Sequence, residues 1–100
     1  MRAVIYEWDA RKATSNLRQH RVSFAEAISV FLDPAALTFE DPDHSDDEDR
    51  EITIGISDRG RVLFISQCLR GDRIRIISAR RATSREKKQY AEDFGGIDEG

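Results

Sequence analysis

The sequence has one cysteine, two histidines, two prolines and one tryptophan in 100 residues, and these scarcities exclude a good deal of chemistry. Cys68 has no second cysteine with which to form an internal disulfide or a zinc site. It stands in an apolar run, RVLFISQCL, that reads as a strand, and it is expected to be a small core residue. No apolar run nears the roughly 18 to 20 residues of a membrane-spanning helix, and MRAVIYEWD lacks the apolar centre of a signal peptide. A cytoplasmic location is therefore expected. There is no P-loop, dinucleotide-binding glycine motif, zinc-ligand spacing or nucleophile elbow, and neither a cofactor nor a metal is expected.

The residues present describe a soluble globular chain, 39% hydrophobic and 35% charged. The length suits one domain over residues 1–100, with an acidic loop at 40–51 and a frayed tail at 96–100. The formal net charge of −3 averages two opposed segments. Residues 40–51, EDPDHSDDEDRE, hold eight carboxylates against one arginine. Residues 70–88 hold eight Lys or Arg (Arg70, Arg73, Arg75, Arg80, Arg81, Arg85, Lys87, Lys88) against Asp72 and Glu86. Such an asymmetry points to a polyanionic partner.

AVIYEW reads as a first strand, and Asp9 as the N-cap of a helix whose Ala10, Ala13 and Leu17 form one stripe while Lys12, Asn16 and His20 form another. Ser23 and Glu26 make a capping box for a second helix with Phe24, Ala27, Ile28 and Phe31 on its buried side; Asp33-Pro34 ends it. ALTFE, REITIGIS, RVLFISQCL and RIRIISAR follow as strands, the last three separated by Gly-containing breaks that predict an antiparallel meander. Thr83 and Glu86 open a last helix that carries Tyr90, Ala91 and Phe94. The predicted architecture is α+β: a small antiparallel sheet with helices packed on it, in the order β-α-α-β-β-β-β-α.

Strict alternation along the last strand sets Ile74, Ile76 and Ser78 on one face and Arg73, Arg75, Ile77 and Ala79 on the other. Arg80 and Arg81 lie where this strand meets a helix N-terminus, a place suited to phosphate. They could equally pair with the acidic loop or serve as surface charge. His20 could act as general acid or base, with Lys12 and Asn16 on its stripe, or stand as an ordinary helix-end residue. His44, among Asp43, Asp46 and Asp47, reads better as part of a solvated loop than as a metal ligand. Tyr6 and Trp8 are expected to be core residues, and Tyr90 to pack against the sheet.

EWDARKATSNLRQH, VSFAEAISVFLDP, the acidic stretch leading into REITIGISDRGRVL, and RIISARRATSREKKQY resemble successive blocks of the BrnT toxin family of bacterial type II toxin–antitoxin systems, over about residues 6–92. The resemblance implies a RelE-like fold, a metal-independent ribonuclease activity that arrests growth, and a BrnA-like antitoxin that carries a ribbon-helix-helix DNA-binding domain. Operator DNA would then be met only through the antitoxin. One position departs from the family pattern: Arg21 stands where a glycine commonly follows the histidine at the helix end. On this reading Arg75, Arg80 and Arg81 bind and stabilise the phosphate, and His20 is the acid/base candidate assisted by Lys12. Arg50 and Glu51 join the catalytic candidates, with Glu86 considered beside them, and Arg73, Arg85, Lys87, Lys88 and Tyr90 are expected to contact RNA. Both Arg75 and Arg80 are expected to be replaceable at little cost in stability. A noncatalytic nucleic-acid-binding or protein-interaction module is the alternative reading of the same charges.

Overall fold

The structure, a computed structural model, describes residues 4–43 and 49–95, of which 93–95 as backbone alone. His44, Asp46, Asp47, the side chain of Phe94 and the tail at 96–100 therefore lie outside the described residues. The elements are β1 (Ile5–Glu7), α1 (Ala10–His20), α2 (Phe24–Ser29) continuing into a 3₁₀ turn (Val30–Leu32), β2 (Leu37–Glu40), β3 (Arg50–Ile56), β4 (Val62–Arg70), β5 (Arg73–Arg81) and α3 (Ser84–Gly95). This is the α+β order the sequence predicts. Among the described residues no helix is long and apolar enough to cross a membrane.

The five strands run in the order β1-β5-β4-β3-β2. From β2 to β5 every pairing is antiparallel, as predicted, but β1 pairs parallel with β5 through Ile5, Tyr6 and Glu7 opposite Arg73, Ile74 and Arg75. The sheet is thus mixed and not wholly antiparallel. Hairpin loops dictate direction within the meander, whereas no short loop joins β1 to β5, so nothing local in the sequence declares their relative direction.

Residues directly opposite one another in a sheet share a face. One face presents Leu63, Ile65, Ile76 and Ala79 to Val22, Phe24, Ala27 and Val30, with Tyr6, Ala13, Ile28, Phe31 and Ile74 packed around them. Tyr6, half-buried, lies against Phe31 at the margin of the core as expected, whereas Trp8 is 37% exposed, sets only an edge on Phe24 at 5.9 Å and is not the core residue the sequence suggests. Gly55 makes this contact possible: a Cβ there would lie 2.9 Å from Val30 Cγ1 and 3.0 Å from Ala36 Cβ. The opposite face carries Ile52 and Ile54, both buried, and α3 lies against β3.

At the end of α1, Arg21 adopts the left-handed conformation (φ 59°, ψ 32°), and its N–H donates to the Leu17 carbonyl. A non-glycine residue there costs about 1 kcal/mol. The Arg21 carbonyl is held by Arg61 Nη2 at 3.1 Å, and Arg61 also pairs with Glu26. Glu26 in turn accepts from Ser57 Oγ at 2.7 Å. The first capping box is consequently half made: Ser23 Oγ accepts the Glu26 N–H, while the Glu26 carboxylate turns inward to Arg61 and Ser57. Arg61 holds the Glu26 carboxyl below its ordinary range, against the opposing effect of burial.

Candidate active site

The site begins with an irregularity in β5. Gln67 pairs with Ile76 but Ser66 pairs with Ser78, so β5 spends one residue more than β4 at this point, a β-bulge. The strict alternation expected from the sequence fails here. Ile76 and Ala79 enter the same core although they are three apart, at 1% and 0% exposure. Ser78 accordingly leaves the face of Ile76 and joins Arg75 and Arg80 on the opposite one.

Register extends this face across the sheet. Glu7, Arg75, Cys68 and Arg50 form one row from β1 to β3, and Arg80 stands opposite Phe64 in another. Cys68 is buried, as expected. Glu7 lies 3.2 Å from Arg73 Nη1 and 3.6 Å from Arg75 Nη1. Arg50 therefore belongs with the arginines of β5, but Glu51 does not: it points to the other face, where Gln67 Nε2 is 3.5 Å from its Oε1.

Arg80 is the most constrained of these cations. Its guanidinium lies 4.0 Å from the Phe64 ring centroid and forks into Glu86, with Nη1–Oε1 at 2.8 Å and Nη2–Oε2 at 2.9 Å. Glu86 is itself fixed by a complete capping box with Thr83. Hydrogen bonding to Arg80 is the main reason that its carboxyl sits below the ordinary range. The place at the start of α3 that the sequence suggested for phosphate is thus occupied by a carboxylate of the protein. Arg80 is an anchored, half-buried cation, contrary to the expectation that its removal leaves stability untouched.

Beyond Glu7, β1 ends and the outer edge of β5 meets α1. Asn16, buried, closes part of that edge as a strand would: Oδ1 accepts the Ala79 N–H at 3.1 Å, and Nδ2 donates to the carbonyls of Ala79 at 2.8 Å and Val22 at 2.9 Å. Beside it Lys12, Ser15, Gln19, His20, Ile77 and Ser78 line a notch. Asp9, the α1 N-cap, is held below the usual carboxylate range first by the N–H groups of Lys12 and Arg11 and further by the charges of Lys12 and Arg75. The notch and the row of arginines are therefore neighbours, and Lys12 and His20 do come together as their shared stripe predicts.

The remaining candidates lie elsewhere. Arg81 and Lys87 line a separate cleft with Arg61, near the β3–β4 turn. Arg85 and Lys88 are exposed on α3, and Arg73 is exposed beside Glu7. Tyr90 donates its hydroxyl to Asp33 Oδ2 at 2.7 Å, and burial together with that bond pushes its pKa up to about 12. Asp33 also accepts the N–H groups of Ile56 and Ala35, so Tyr90 ties α3 to the connection before β2. Sequence reasoning missed Phe64, Ser78 and Glu7 because each acquires its neighbours through strand register. Among the described residues no group of three or more His, Cys, Asp or Glu could hold a metal ion.

Comparison with solved structures finds the ribonuclease toxin BrnT of Brucella abortus, known from a 1.1 Å crystal structure, at a TM-score of 0.67 and 24% identity, covering 82% of this chain and all of that one. At that identity the likeness establishes the fold. No curated protein matches the chain. The family model for the ribonuclease toxin BrnT of type II toxin–antitoxin systems matches residues 8–86, from the end of β1 into the first turn of α3, and so spans the bulge, the notch and the arginine row. This chain belongs to the BrnT family of type II toxin–antitoxin ribonuclease toxins.

Proposed function

We propose that this protein is a cytoplasmic, metal-independent endoribonuclease that arrests growth by cleaving RNA, and that a BrnA-like ribbon-helix-helix antitoxin neutralises it by covering the basic face. Family membership implies an antitoxin partner in general terms. The observation that supports catalysis is the bulge, which gathers Arg75, Ser78 and Arg80 on one face, next to the notch of Lys12 and His20.

In the reaction proposed, the ribose 2′-OH attacks the adjacent phosphorus, the bond to the 5′-oxygen breaks, and a 2′,3′-cyclic phosphate and a 5′-OH are formed. Extra negative charge builds on the phosphoryl oxygens, and fixed cations stabilise it most when they are already in place. Arg75, whose contact with Glu7 is long, is the cation assigned to the scissile phosphate. Arg80, stacked on Phe64 and compensated in its fork by Glu86, supplies a rigid wall beside it. His20 takes or returns the proton, with Lys12 favouring the anionic transition state. Arg50 flanks the row. Arg73, Arg85, Lys87 and Lys88 guide the RNA backbone, with Arg81 contributing from its separate cleft. Glu51 and Tyr90 serve positions away from the reacting atoms.

Induced expression in a bacterial host, with total RNA followed over time, tests the reading. Growth arrest with RNA loss for the wild type, relieved in Arg75→Ala at equal soluble protein, supports it. Purified protein should cut RNA in the presence of a chelator and leave cyclic phosphate ends. Normal growth and intact RNA despite abundant folded protein would replace it with a noncatalytic binding module.

A further inference from the structure

The notch between α1 and the outer edge of β5 has a composition that phosphate binding alone does not explain. Its one apolar lining residue is the half-buried Ile77, the extra residue of the bulge. Its wall is one stripe of α1, where Asn16 spends its amide on the protein. Ser15, Gln19, His20 and Ser78 carry side-chain donors and acceptors with no partner among the described residues. An apolar side chain among unspent hydrogen-bonding groups, adjoining a row of arginines, suits a flat polar heterocycle whose phosphate reaches that row.

We propose that this notch is a nucleobase subsite for single-stranded RNA and that Gln19 is the residue that holds the edge of the base. The inference rests on the ribonuclease reading for the substrate class. Gln19 offers one carbonyl acceptor and one amide donor side by side, and each of the four bases carries an adjacent donor and acceptor on its Watson–Crick edge to match them. The base lies on Ile77, Ser15 and Ser78 contact its sugar, and Lys12 faces the phosphate that continues toward Arg75.

The test uses 2′-O-methyl tetranucleotides, which lack the attacking hydroxyl and so report binding without cleavage. Titrated into isotope-labelled protein, such a tetranucleotide should shift the amide signals of Lys12, Gln19, Ile77 and Ser78, and should bind about tenfold more tightly than its abasic counterpart. Gln19→Ala should remove most of that difference while the spectrum elsewhere stays native. Gln19→Glu, whose carboxylate only accepts, should favour guanine, which alone presents two adjacent donors, N1–H and its exocyclic amine. Silent notch signals, or equal affinity for the tetranucleotide and its abasic counterpart in the wild type, would overturn the proposal. Base-dependent shifts with a natural RNA left uncut would uphold the subsite and sink the catalytic reading instead. Cleavage with an unresponsive notch would do the reverse.

Discussion

Arg75 and Arg80 stand on the same face of the sheet although five positions separate them on one strand, because the bulge beside Gln67 inserts an extra residue between them. Their surroundings differ. Arg75 has a long contact with Glu7, whereas Arg80 lies on Phe64 and forks into Glu86.

The two should therefore separate in a mutational test. Arg75→Ala is expected to lower RNA cleavage by about a hundredfold while thermal stability changes by less than about 1 kcal/mol. Arg80→Ala is expected to cost about 1 to 2 kcal/mol, discounted for a side chain that is 35% exposed. Thermal unfolding and cleavage measured on the same preparations decide the matter; equal stability losses would refute the distinction.

Arg21→Gly should stabilise the protein. The left-handed turn is relieved of about 1 kcal/mol of strain, and the Arg21 carbonyl still accepts from Arg61. For a chain of this size the melting temperature should rise by about 4 to 8 °C. A fall would mean that the Arg21 side chain itself contributes to folding.

Glu26 links acid pH to stability. Its folded pKa is depressed, chiefly by Arg61, so the ionised form is favoured in the native state. The contribution is complete above the unfolded carboxylate value, about 4.3, and is lost as pH falls through the lower folded value. Glu86 acts in the same sense. Glu26→Gln should destabilise the protein by about 3 kcal/mol at neutral pH and flatten part of the acid limb of a stability-versus-pH curve. An unchanged acid limb would show that other carboxylates govern it.

Tyr90 has the opposite sign. Its pKa is raised to about 12, so the hydroxyl's contribution is complete below the unfolded value, about 10, and is lost as pH rises through about 12. Ultraviolet titration of the folded protein should show Tyr90 still un-ionised between those two values, and Tyr90→Phe should cost about 1 kcal/mol by leaving Asp33 short of a donor. Ionisation near 10 would mean that the bond to Asp33 is not kept in solution.

Much of the fold was legible in the residues. Asp9, Ser23 and Thr83 mark three helix starts, and Gly60 and Gly71, both at positive φ, mark the turns of the meander. The first capping box illustrates the limit of such reading. Ser23 behaves as the motif predicts, yet Glu26 turns to Arg61, thirty-five positions away, because a buried carboxylate is better compensated by a guanidinium than by one more N–H. The site was legible only in part: Lys12 and His20 share a notch because a helical stripe is a local property, while Glu51 proved to face away from Arg50's neighbours.

What the sequence by itself determined is the set of elements, their order, the charge asymmetry and the family, since helix periodicity, caps, turns and motif blocks depend on residues a few positions apart. Tertiary structure alone decided the parallel direction of β1, the pairing of Arg80 with Glu86 on Phe64, and above all which residues of β5 share a face. A bulge exists only relative to the strand beside it, so the alternation that would have parted Arg75 from Ser78 and Arg80 held until β4 set the register and the core claimed both Ile76 and Ala79.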